Sequence, residues 1–125
     1  MALEPGLEAE YEFDVDGRLL TDVGGTLNFE VLSTPGMIAM MERTSARLVY
    51  PHLPEGSATV GFEVCIKHVA GAPKGSRCTA RARLDEVIEQ RKLRFTVEVT
   101  SDDGRTIGLG THERRVINAA DPRSA

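Results

Sequence analysis

An α+β architecture, one long helix wrapped by about five antiparallel strands, is the fold class this sequence predicts. Two observations carry it. One stretch, Thr34 to Tyr50, repeats its apolar residues at the helical period. After it come four runs in which apolar and polar residues alternate, separated by Gly, Pro and Asp-Gly turn signals. Read in order, they suggest a helix followed by a four-strand antiparallel meander.

Before the helix, Tyr11, Phe13 and Val15 alternate with Glu12 and Asp14, a first strand that ends at Asp16-Gly17. Arg18 to Ser33 admits two readings. Gly24-Gly25 and the short alternation Leu27, Phe29, Val31 fit either a short strand or a loop over a pocket.

Ser33 or Thr34 suits a helix N-cap, and Pro35 suits the first turn, where its missing N–H is no loss. At about 100° per residue, Met37, Ile38, Met41, Ser45 and Leu48 share one sector, with Glu42 and Val49 at its edge. The helix should stop near Tyr50, because Pro51 disfavours helical geometry in the residue before it.

Val60, Phe62, Val64, Ile66 and His68 are expected on one strand face, with Gly61, Glu63, Cys65 and Lys67 on the other. Gly71 to Gly75 is a turn. Cys78, Ala80, Ala82, Leu84 and Ile88 mark the next strand, and Leu93, Phe95, Val97 and Val99 the one after. Residues 84–93 could also form a short helix, but the alternation on both sides favours a hairpin. Asp103-Gly104 is a strong hairpin turn. Ile107, Leu109, Val116 and Ile117 make the last strand, whose Gly108 and Gly110 would let the helix or a ligand come close.

At 125 residues the chain is expected to be a single domain, 1–125, with a polar tail from about 118. A net charge of -4 and no basic run argue against nucleic acid. With no Trp, stacking platforms for single strands are also poorly supplied. No apolar run approaches the roughly 20 residues that cross a bilayer, and Met1 to Glu10 lacks the order of a signal peptide. A cytoplasmic protein with no membrane partner is the expectation. Cys65 and Cys78 read as small buried apolar residues rather than a disulfide.

Two residues point to chemistry. Glu42 sits at the edge of the helix's buried stripe, and His68 ends an apolar strand face. Buried carboxylate and imidazole groups are costly unless paired or used. Metal and dinucleotide motifs fail: Cys65 and His68, three apart on a strand, point to opposite faces. Pro73-Lys74-Gly75-Ser76 has its Lys before the Gly and no helix after it. No metal and no cofactor is expected.

Thr34 with Met37, Glu42 eight residues after Thr34, His68 twenty-six after Glu42, and Gly108-Leu109-Gly110-Thr111-His112-Glu113-Arg114 form one pattern. With it the chain resembles the hotdog-fold thioesterases, and most closely the fluoroacetyl-CoA thioesterase family, from about Val31 to Asn118. The resemblance implies a hotdog fold and a homodimer whose sheets join edge to edge, with acyl-CoA at the subunit interface. It also implies a catalytic set of Thr34, Glu42 and His68. The segment before Thr34 lacks that family's aromatic, proline-rich lid, so selectivity for a fluorinated acyl group does not follow.

Hydrolysis of a small acyl-CoA to free acid and CoA needs an attacking oxygen and donors for the oxyanion, while the thiolate leaves readily. The backbone N–H groups of Gly36 and Met37 at the helix start are candidate donors. Glu42 suits a general base for water or a nucleophile that forms a mixed anhydride. His68 suits a proton shuttle. Thr34 can hold the carbonyl or water, or attack if His68 activates it. His112 and Arg114 are candidates to line the site or hold a CoA phosphate. The competing reading is a non-catalytic acyl-CoA or small-ligand binding protein on the same fold.

Overall fold

The computed structural model describes residues 3–125. Helix α1, Thr34–Val49, lies across a five-stranded antiparallel sheet. The sheet contains β1 (Glu8–Asp14), β4 (Ser57–His68), β5 (Arg77–Ile88), β6 (Lys92–Ser101) and β7 (Thr106–Asn118), in the spatial order β1-β5-β6-β7-β4. Two short strands, β2 (Leu20–Thr21) and β3 (Val31–Leu32), pair beside it.

Only β5, β6 and β7 form a meander. The expected four-strand meander is corrected by β4, which lies at the far edge and pairs with β7 instead of β5. Alternation marks a strand but carries no information about its partner. The β5–β6 hairpin turns through Glu89 and Gln90, at φ 55 and 54, the left-handed pair that matches strand twist.

Ser33 caps α1, its hydroxyl accepting the Gly36 N–H at 2.9 Å. The helix ends at Tyr50 and Pro51, which open a 3-10 turn over Tyr50–His52. Met37, Met40, Met41, Thr44, Ser45, Leu48 and Val49 are buried. The hydroxyls of Thr44 and Ser45 donate back to the carbonyls of Met40 and Met41 at 2.7 and 2.9 Å, so neither is left unpaired. Relative to the sequence expectation, the buried stripe is rotated toward Met40 and Thr44, and Ile38 is only half-buried. The reason is where the helix rests: chiefly on β5 and β1. Ala80 and Ala82 of β5 are small enough to let it approach. The Thr34–Ile38–Glu42 row therefore faces the less covered β4 edge.

On the helix side of the sheet, Cys78 and Leu84 of β5 and Leu93, Phe95, Val97 and Val99 of β6 complete the core. Truncating a fully enclosed ring such as Phe95 to Ala costs about 3–5 kcal/mol. Gly108 lies under Met37, where a Cβ would strike the thioether sulfur, and Gly110 lies against the backbone of Cys65 and Ile66. Leu109 points outward and is exposed.

A register shift between Gly61 and Glu63 breaks the single face expected for β4. Past it, Val64, Ile66 and His68 are opposite His112, Gly110 and Gly108 on the helix side. Before it, Gly61 takes the helix side and Val60 does not. Phe62 turns outward and receives the Arg115 guanidinium on its ring, 3.6 Å from the centroid. Bulges of this kind re-aim side chains at sheet edges.

The segment 18–33 becomes a 3-10 turn, the β2–β3 pair and the loop between them. Its base is fastened: Leu32 N–H donates to Ala72 O at 2.8 Å, and Ser33 N–H to Leu19 O at 2.7 Å. Beyond Asn118 the chain forms a 3-10 turn over Pro122–Ser124. Among the described residues, no helix is long and apolar enough to cross a membrane.

Candidate active site

The first turn of α1 and the last residue of β4 meet at one point. Thr34 is the first helical residue because Ser33 holds the cap, and His68 reaches it because the bulge leaves the end of β4 in register with Gly108. Thr34 Oγ1 and His68 Nδ1 are 2.8 Å apart. The other ring nitrogen, Nε2, is buried and has no hydrogen-bond partner among the described residues. The pair lines an open cleft of about 390 Å³, with Val31, Leu32 and the backbone turn Val69–Gly71 as its walls. A hydroxyl held by an imidazole beside an apolar wall can position a carbonyl or a water and move a proton.

Glu42 belongs to a second cluster. Two helical turns and more separate it from Thr34, about 12 Å along the axis, and it does not line the cleft. Its Oε2 lies 3.5 Å from Arg114 Nη1, and its side chain is 40% exposed. Gly61 makes room for it: a Cβ there would stand 2.5 Å from Oε2. Arg114 is buried. Its Nε donates to Thr59 Oγ1 at 2.8 Å and its Nη2 to Thr59 O at 3.0 Å. His112 sits between, with Nδ1 2.8 Å from Glu63 O and Nε2 3.2 Å from Arg114 Nη1. Burial pushes His112 below the ordinary histidine range, and the neighbouring Arg114 charge adds to that.

So the chain brings Thr34 and His68 together and keeps Glu42 apart, with Ile38, Val64 and Ile66 between the two clusters. Within one chain the cleft beside Thr34 and His68 is not lined by Glu42.

Two expected donors are corrected. The Gly36 N–H is engaged by Ser33 Oγ and the Met37 N–H by Ser33 O at 2.9 Å, both inside the helix cap. Gly36 backs onto the Leu19 carbonyl, and Met37 is wholly buried over Gly108. His112 and Arg114 are likewise turned inward, so neither extends to a phosphate at the surface. Thr59 and Gly61 were not singled out from the sequence. A glycine inside an apolar strand was the available signal for Gly61; nothing marked Thr59.

The sequence pattern of the fluoroacetyl-CoA-specific thioesterases matches residues 15–120. The fluoroacetyl-CoA thioesterase of Streptantibioticus cattleyicolor is 39% identical over 90 residues, 71% of this chain and 63% of that relative's length. The alignment thus spans less than two-thirds of the relative. A solved structure of the fluoroacetyl-CoA thioesterase superposes with a TM-score of 0.86 at 28% identity, covering 96% of this chain and 92% of that one. A hypothetical protein of Thermus thermophilus, described as a thioesterase superfamily member, does so with a TM-score of 0.83 at 27% identity, over 94% of this chain and 85% of the other. One helix on a five-stranded antiparallel sheet, with this match along most of its length, makes the chain a hotdog-fold member of the fluoroacetyl-CoA-specific thioesterase family.

Proposed function

We propose that the protein hydrolyses a small acyl-CoA thioester to free acid and CoA, with Thr34, Glu42 and His68 as its catalytic set. The observation that carries this reading is the Thr34–His68 pair, 2.8 Å apart at the wall of an open cleft, with the second ring nitrogen buried and unpartnered among the described residues. Family membership supports it, as does a solved relative described in complex with fluoroacetate and CoA.

The separation of Glu42 from that pair has a simple resolution in a homodimer. β4 is an edge strand, and edges of this length are normally paired or covered. Antiparallel pairing of β4 with its own copy, centred between Val64 and Cys65, sets His68 opposite the partner's Gly61. The partner's Glu42 then faces the cleft, across the apolar strip of Ile38, Val64 and Ile66. The two sheets become one continuous sheet with both helices on the same side. Each subunit supplies Thr34 and His68 to one site and Glu42 to the other.

In such a site Thr34 positions the thioester carbonyl or the water, His68 carries the proton, and the partner's Glu42 acts on the attacking oxygen or on the carbonyl carbon. CoA leaves as a thiolate and needs little acid help. The cytoplasm, where acyl-CoA is made and used, is the compartment this chemistry assigns.

Thiol release from a panel of short acyl-CoAs tests the proposal. Turnover of at least one, with release of stoichiometric CoA, is the expected result. Binding without turnover across the panel would leave a ligand-binding protein instead.

A further inference from the structure

We propose that His112 is a positioning residue: its ring holds Arg114 in the orientation that turns an Nη1 hydrogen toward Glu42, and it neither touches substrate nor exchanges a proton in the reaction. This rests on the reading of Glu42 as a reacting carboxylate.

The polarity of the network follows from its end groups. Glu63 O only accepts, so the hydrogen between it and His112 Nδ1 must be on the ring nitrogen. A guanidinium only donates, so His112 Nε2 must present its lone pair to Arg114 Nη1. The ring is therefore neutral and locked in its Nδ1–H form. The β4 bulge matters here, because it shifts the register at Glu63, whose carbonyl receives the ring hydrogen.

Four of the five Arg114 N–H hydrogens have a partner. Nε and Nη2 are held by Thr59 at 2.8 and 3.0 Å, and one Nη1 hydrogen is held by His112. The second Nη1 hydrogen is left toward Glu42 Oε2, at 3.5 Å. With Arg114 7% and His112 3% exposed, neither ring nor guanidinium is free to reorient into solvent. Phe95 backs the imidazole, ring centroids 6.0 Å apart. Both ring nitrogens are occupied and the ring is enclosed, which leaves it no open position for a substrate atom.

A double-mutant cycle with acyl-CoA turnover, joined to a nitrogen-15 NMR spectrum of the histidines, tests this. His112→Ala is expected to lower kcat about tenfold or more while KM changes less than about threefold. In a Glu42→Gln background the same change should produce almost no further loss, because its effect passes through Glu42. The parent protein should show His112 as the Nδ1–H tautomer, and His112→Gln, whose amide oxygen can accept from Arg114, should recover part of the rate. Where the Ala variant unfolds, the Gln variant and the spectrum carry the test. Equal losses in both backgrounds, a raised KM at unchanged kcat, or an Nε2–H tautomer would each overturn the inference and leave the thioesterase reading intact. Full turnover by Glu42→Gln alone would instead overturn the reading of the site, and this inference with it.

Discussion

Thr34 Oγ1 and His68 Nδ1 stand 2.8 Å apart, so one hydrogen bond ties the start of α1 to the end of the edge strand β4. Removing the hydroxyl while keeping the shape isolates what that bond does. Thr34→Val should lower kcat by about ten- to a hundredfold, whereas Thr34→Ser should retain much of the rate. Ser33 holds the helix cap independently, so circular dichroism and thermal midpoint should be close to the parent in both. A Val variant as active as the parent would make Thr34 a mere helix-start residue.

Glu42 gives a sharper test. Glu42→Gln keeps the size of the side chain and a hydrogen-bond acceptor for Arg114, yet it should lower turnover by about two orders of magnitude or more. Steady-state kinetics of the purified variant, with thermal melts to confirm the fold, checks this. Activity within a few-fold of the parent would return Glu42 to a structural role.

Subunit complementation tests the shared site. Mixed and refolded together, the inactive chains His68→Ala and Glu42→Gln should regain about a quarter of parental activity, since half the dimers are mixed and each mixed dimer has one intact site. Val64→Lys at the β4 edge should lower the sedimentation mass to one chain and abolish turnover together. No recovery on mixing, or a fully active monomer, counts against the arrangement.

The glycines of β7 should differ in how well they tolerate a side chain. A Cβ on Gly110 would meet the Cys65 carbonyl and lie 2.7 Å from Ile66 Cα, backbone that cannot yield. Gly110→Ala should therefore destabilise by about 1–3 kcal/mol. At Gly108 the obstacle is the flexible Met37 thioether, so Gly108→Ala should cost less. Denaturant midpoints of the two variants settle the order.

His112 also links stability to pH. Burial lowers its folded pKa from the usual 6.5, with Arg114 acting in the same direction. Below that usual value the unfolded chain binds a proton that the folded chain does not. Stability is then full above the ordinary histidine range and is lost as pH falls from there through the lowered folded value. The thermal midpoint should drop between pH 7.5 and 5.5, and His112→Gln should flatten that drop. An identical slope in the variant would assign the effect elsewhere.

Local chemistry made much of this protein legible without coordinates. The helix was readable from Ser33, Pro35 and the recurring Met37, Met41 and Leu48, because capping and periodicity are properties of neighbours along the chain. The Asp103-Gly104 hairpin was readable for the same reason, and the alternation on both sides of residues 84–93 favoured a hairpin there over a short helix. The spacing of Thr34, Glu42 and His68, with the Gly-Thr-His-Glu-Arg run, pointed to the family.

Tertiary structure decided the rest. It set β4 beside β7, since backbone pairing has no side-chain code. It introduced the bulge at Phe62, which swaps faces without disturbing the alternation of residue types. It rotated the helix toward β1 and β5, so that Ile38 and Glu42 face an open edge instead of the core. It also drew Arg114 inward onto Thr59 and His112, because a buried guanidinium must find acceptors wherever the fold supplies them. Eight residues of helix already fixed the distance between Thr34 and Glu42. Tertiary structure decided that His68 meets Thr34 and that Arg114 meets Glu42, because strand order and register, which local sequence does not encode, set which side chains lie over each end of the helix.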